Sequence, residues 1–190
     1  IETYGPALAA GDALPAARRK EVLRALHRYT GLSEAVIDAR DLRIPVYVFA
    51  AELLRGQGQV VGVLDARVTG PAMRPGACMA TYDPSMALVA GPFTAAMQEY
   101  LRSELNFRTD RRYVYLSRAA NRSWDWGCAG FGGGYVNMMD DLRRAMTENT
   151  RLRVLWVMGS FDLTTPYFGQ VYVIRHLGLA PQLQGNMRAV

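Results

Sequence analysis

The sequence predicts an α/β fold built on a mostly parallel sheet, and three observations carry that expectation. The stretch Leu152–Met158 is almost unbroken in apolar character and stops at Gly159. A short apolar run bounded by a turn signal suits a strand buried on both faces, as in a parallel sheet. Helical patterns flank it, Asn137 to Glu148 before and Thr165 to Leu177 after, so helix, strand and helix alternate. The preceding half reads mainly as helices joined by loops. A shift in composition near residues 106–112 divides the chain into a helical part, 1–110, and a sheet-bearing part, 111–190.

Taken in order, Pro15 to Tyr29 places Val22, Leu23, Leu26 and Tyr29 on one stripe, with Gly31 beyond its end. Ser33 is placed to cap a short helix through Ile37. Pro45 opens a helix whose apolar positions are Val48, Phe49, Leu53 and Leu54, and Gly56 stops it. Gln59 to Leu64 is a candidate strand, and Thr69 to Ala80, rich in Gly and Pro, a loop. Asp83-Pro84 starts one helix and Pro92 another, which runs to Leu105 with Phe93, Met97, Tyr100 and Leu101 on one side. Tyr113 to Leu116 reads as a strand and Asn121 to Tyr135 as a loop. The helix from Thr165 ends at Gly178.

The 190 residues carry a formal net charge of +5, mostly as arginine. The arginines stand near acids: Arg18 and Arg19 with Glu21, Arg102 with Glu104, Arg143 and Arg144 behind Asp140 and Asp141. That pattern reads as solvated helix faces rather than a nucleic-acid surface. No apolar run approaches the roughly 18–20 residues that span a bilayer. The start, Ile1-Glu2-Thr3-Tyr4, lacks the basic and hydrophobic regions of a signal peptide and reads as a product of processing or fragmentation. Cys78 and Cys128 match no zinc or redox spacing; they pair in an oxidising compartment or remain free thiols. The two histidines, far apart, give no metal cluster, and no cofactor is implied.

Asp162 follows the apolar strand, where open α/β sheets keep their active sites. It is the candidate catalytic carboxylate; the competing reading is a turn residue bonded to nearby amides. Thr164 and Thr165, just before Pro166, are expected to take the capping role instead. A hydrolase triad in the order Ser, Asp, His needs a serine on a Gly-x-Ser-x-Gly elbow before Asp162 and a histidine after it. No serine fits: Tyr115 and Ala119 occupy the glycine positions around Ser117. His176 and His27 are expected to be surface or packing residues. Gly130-Phe131-Gly132-Gly133-Gly134 lacks the context of a phosphate cradle. Trp124 and Trp126 either line a cleft or anchor a loop.

The run Val154-Leu-Trp-Val-Met-Gly-Ser-Phe-Asp-Leu-Thr-Thr-Pro-Tyr-Phe168 followed by His176-Leu-Gly-Leu179 resembles the bacterial branch of the serine carboxypeptidase family. Asn121-Arg-Ser-Trp-Asp-Trp126, Leu64-Asp-Ala-Arg67 with Thr69-Gly-Pro71, and Tyr82-Asp-Pro-Ser85 are also similar to that branch. The resemblance covers nearly the whole chain. It implies an α/β-hydrolase in which 1–110 is a helical cap or insertion and 111–190 an incomplete C-terminal part of the core. It implies removal of C-terminal residues from peptides, best at acidic pH, in a secreted or periplasmic setting. The triad Asp corresponds to Asp162, and Thr165 to a residue lining the pocket for the departing group. The family's elbow serine would precede Ile1 and its histidine would follow Val190, so the expected partners are a peptide substrate and the remaining segments of the same hydrolase. Two alternatives stand beside this: a catalytically inactive structural or interaction piece, and an acyltransferase on the same scaffold. An unpaired apolar strand is also expected to drive association, with a homodimer as one form of it.

Overall fold

A computed structural model describes residues 3–125 and 137–190 of the chain. The fold is mixed α/β, about half helical, with two small two-stranded sheets. It divides into two compact units, Ile1–Leu88 and Val89–Val190.

In the first unit, α1 (Tyr4–Ala10) is followed by a 3₁₀ turn at Gly11–Ala13 and by α2 (Ala16–Thr30). Gly31 closes α2 in the left-handed conformation, φ 75°, with its N–H donated to the His27 carbonyl, as the sequence predicts. Ser33 caps α3 (Glu34–Asp38), its Oγ accepting from the Val36 amide at 3.3 Å. Ala7, Val22, Leu23, Leu32, Ile37 and Leu42 pack together as the core of these helices. Arg19 ties α2 to α3 through ion pairs of 2.8 Å to Asp38 and to Asp41.

The helix α4 (Val46–Glu52) stops before Gly56, because residues Arg55–Gln57 tighten into a 3₁₀ turn. The strand β1 is only Gln59–Val61. It pairs antiparallel with β2 (Thr69–Pro71), a strand lying where the sequence predicts loop. Gly and Pro depress strand propensity, yet an edge pairing of three residues accommodates both.

The helix α5 (Pro84–Ser103) is one element where two are expected, with Pro92 inside it. Pro92 cannot donate to the Leu88 carbonyl, but the hydrogen bonds on either side carry the helix through. Past α5, Asn106 takes φ 51° and the chain folds back, the Phe107 amide donating to the Leu101 carbonyl at 2.8 Å. Residues Tyr113–Leu116 form no strand: no neighbouring strand offers them a ladder among the described residues, and Val114 and Leu116 are exposed. Ser117 instead caps α6 (Arg118–Ser123), so the segment from Asn121 begins as helix and not as loop.

The helix α7 (Met139–Glu148) precedes β3 (Val154–Trp156). Then come α8 (Tyr167–Arg175), α9 (Pro181–Gln184) and β4 (Met187–Ala189), which pairs parallel with β3. The parallel geometry agrees with the sequence. Burial on both faces does not: Leu155 is 62 % and Val157 73 % exposed. A sheet of two strands has no inner strand, so nothing described covers these side chains. The buried apolar residues of this unit are few, Met146, Leu177 and Leu183 among those described. No helix of the described residues is long and apolar enough to cross a membrane.

Candidate functional site

Asp162 lies beyond the carboxyl end of β3, in the turn that leads to α8. Gly159 makes that turn possible: a Cβ there would stand 3.2 Å from the Asp162 Cβ, tighter than ordinary contact. The carboxylate is half-buried and organises the turn. Its Oδ1 accepts from the Thr164 amide at 2.7 Å, the Thr164 hydroxyl at 2.5 Å and the Thr165 amide at 3.2 Å. Its Oδ2 accepts from the Thr165 hydroxyl at 2.5 Å.

The expected division of labour is thus reversed. Thr164 and Thr165 do not cap α8; both donate to Asp162, and the N-cap position is held by Pro166, which has no side-chain hydrogen bond. Two hydroxyls and two amides converge on one carboxylate because an ionised acid is the stronger acceptor. Burial alone would raise the Asp162 carboxyl, but the bonds from Thr164 and Thr165 outweigh it and hold it below the ordinary Asp value. The group is therefore an anion at mildly acidic pH. Among the described residues Oδ2 accepts a single bond, which leaves it room for another donor. Thr165, the second residue singled out from sequence, is exposed with its hydroxyl turned onto Asp162. Behind the turn, Trp156 Nε1 donates to Gln170 Oε1 at 3.2 Å, linking β3 to α8.

Neither histidine joins this carboxylate. The nine residues of α8 separate His176 from the Asp162 turn, about 13 Å of helix. His176 stacks on Tyr172 at 3.8 Å between ring centroids, and its Nδ1 meets the Tyr172 carbonyl at 2.7 Å. His27 Nδ1 lies 2.6 Å from the Leu32 carbonyl in the other unit. The serine hydroxyls with bonds serve local structure. Ser33 and Ser117 cap helices; Ser103 and Ser123 donate to carbonyls one turn back. Trp124 is exposed, whereas Trp126, Cys128 and the 130–134 glycine cluster lie outside the described residues. Among the described residues no group of His, Cys, Asp and Glu is arranged to hold a metal.

A second carboxylate, Asp83, read from sequence as a helix start and as part of the Tyr82-Asp-Pro-Ser85 motif, is more heavily bonded. Asp83 Oδ1 accepts from the amides of Val63 at 3.1 Å and Ser85 at 2.9 Å, and from the Ser85 hydroxyl at 2.5 Å. Its Oδ2 accepts from the Leu64 amide at 3.2 Å. Ser85 Oγ in turn accepts from the Asp65 amide at 3.2 Å. Gly62 and Gly70 permit the close approach: a Cβ on Gly62 would press on the Asp65 backbone carbonyl, and one on Gly70 on the Tyr82 hydroxyl, so a side chain at either position would force its neighbour to move. Ser85 is 3 % exposed, so this Asp–Ser pair is a structural knot and not a nucleophile. The signal was present in sequence: Asp-Pro-Ser opening a helix, with two glycines upstream.

Comparison with protein-family models, curated proteins and solved structures finds no match to this chain.

Proposed function

We propose that this chain is part of a serine carboxypeptidase-like hydrolase of α/β-hydrolase fold, in which Asp162 is the orienting acid of a Ser-His-Asp triad. The observation that carries the reading is the state of Asp162: a carboxylate past the end of a parallel strand, held rigid and ionised by Thr164 and Thr165, with acceptor capacity left on Oδ2. An orienting acid must hold the imidazole in one tautomer and stabilise the imidazolium that forms. A carboxyl lowered below its ordinary value keeps that charge at the acidic pH implied by the family resemblance. The exposed apolar side chains of β3 also support the reading, since further strands of a hydrolase sheet would cover Leu155 and Val157. The serine and histidine belong to other segments of the hydrolase. The serine hydroxyl attacks the terminal peptide carbonyl and the histidine carries its proton to the leaving amine.

The test is Asp162→Asn in the assembled hydrolase. Release of a C-terminal residue from a blocked peptide should fall about 10⁴-fold with the thermal midpoint little changed. Retention of most activity would remove Asp162 from the triad. A second reading is favoured by the same four hydrogen bonds: Asp162 as the structural keystone of the turn before α8. In that case the thermal midpoint drops and activity, measured well below it, does not.

A further inference from the structure

We propose that the reversal after α5 forms a binding site for a small organic dianion, a doubly charged oxyanion carried on an aromatic or aliphatic body. The site is built by the fold-back at Asn106, which lays the segment from Phe107 to Val114 against the end of α5. Between them lies an open cavity of about 270 Å³. Three guanidinium-bearing residues line it from two separate stretches of chain: Arg102 on the helix, Arg111 and Arg112 on the returning segment. Leu101, Phe107 and Val114 supply its apolar wall.

The arginines here are not among those held by a carboxylate. Arg18, Arg19, Arg43, Arg55, Arg67, Arg143 and Arg144 each form an ion pair with a nearby carboxylate. Arg102, Arg111 and Arg112 form none among the described residues, although Glu104 stands two positions from Arg102. Arg102 stands in the last turn of α5, where the helix carbonyls offset part of its charge. Arg111 and Arg112 have no such offset. Adjacent guanidiniums with unused donors match the oxygens of phosphate or carboxylate groups. Tyr113 also borders a second, shallower groove with Phe93, Met97, Tyr100 and Tyr115. Tyr113 lines both, so an aromatic surface borders the cationic pocket and favours an anion with an apolar body over a bare inorganic ion.

The proposal does not rest on the hydrolase reading. Its test is calorimetric titration of the full chain with phenyl phosphate, inorganic phosphate, phenol and phenylsuccinate at low salt. Phenyl phosphate or phenylsuccinate should bind about tenfold more tightly than both inorganic phosphate and phenol, because charge and apolar contact act together. Which of the two binds distinguishes a phosphate ester from a dicarboxylate as the source of the dianion. The double variant Arg111→Gln/Arg112→Gln should lose about tenfold in that affinity, whereas Arg144→Gln on α7 should not. The far-UV spectrum confirms that each variant is folded. Binding of neither organic dianion above the level of inorganic phosphate, or full affinity in the double variant, would overturn the site.

Discussion

Removing the Asp83 side chain should open the loop between β1 and β2 while leaving the helices of the first unit in place. Asp83→Ala deletes the acceptor for the Ser85 amide, a helix-cap bond contributing about 1 kcal/mol. It also orphans the Val63 amide, whose residue is 1 % exposed, at about 1–2 kcal/mol for an unsatisfied buried donor. The Leu64 amide belongs to an exposed residue and can turn to water, so it adds little. The expected loss is about 2–3 kcal/mol, or roughly a 30- to 150-fold drop in local protection. Hydrogen-exchange mass spectrometry on peptides spanning residues 59–72 reads this directly, with peptides from α2 as internal control. Asp83→Asn retains one acceptor oxygen and should fall between wild type and Ala. An Ala variant with wild-type exchange in 59–72 would refute the claim that Asp83 holds this loop.

Other outcomes follow from the same geometry. Gly159→Ala pushes a methyl against the Asp162 Cβ and should destabilise the turn by about 1 kcal/mol, seen as a lower thermal midpoint by tryptophan fluorescence. Asp65, beside the Arg67 guanidinium, has its carboxyl lowered to about 2. Its contribution to stability is therefore present above the ordinary Asp value and is lost as pH falls through about 2. Carboxyl carbon NMR should place its titration there and move it back toward 3.8 in Arg67→Gln. The exposed edge and side chains of β3 should drive self-association of the isolated chain, readable by static light scattering. A concentration-independent monomer would show that this face is tolerated in water.

What was legible in the sequence was local. Helices α2, α3 and α7 announce themselves through periodicity, Gly31 and Ser33, because their stability lies in contacts three or four residues apart. The Leu152–Met158 run identified β3, and its carboxylate was visible from position alone. The errors came where partners decide. Tyr113–Leu116 has the composition of a strand but no described neighbour, and Thr69–Pro71 has the composition of a loop but finds β1. Pro92 reads as a helix start, yet its flanking turns are strong enough to absorb one missing bond. At Asp162 the residue was legible and its role in the turn was not, because spacing alone cannot tell which of Asp162, Thr164 and Thr165 accepts and which donates.

The two sheets also differ in how much chain must close before they exist. β1 and β2 are joined by residues 62–68, whereas β3 meets β4 only after residues 157–186 have been threaded through α8 and α9. Closing a connection about four times longer costs about 1 kcal/mol more in chain entropy. Non-local parallel pairing is slow to nucleate as well. The order of assembly follows: the hairpin of the first unit forms early, and β3 acquires its partner late. The Asp162 turn lies inside that long connection, yet its own bonds reach only two and three residues along the chain, so this carboxylate can take its setting before β3 has its partner.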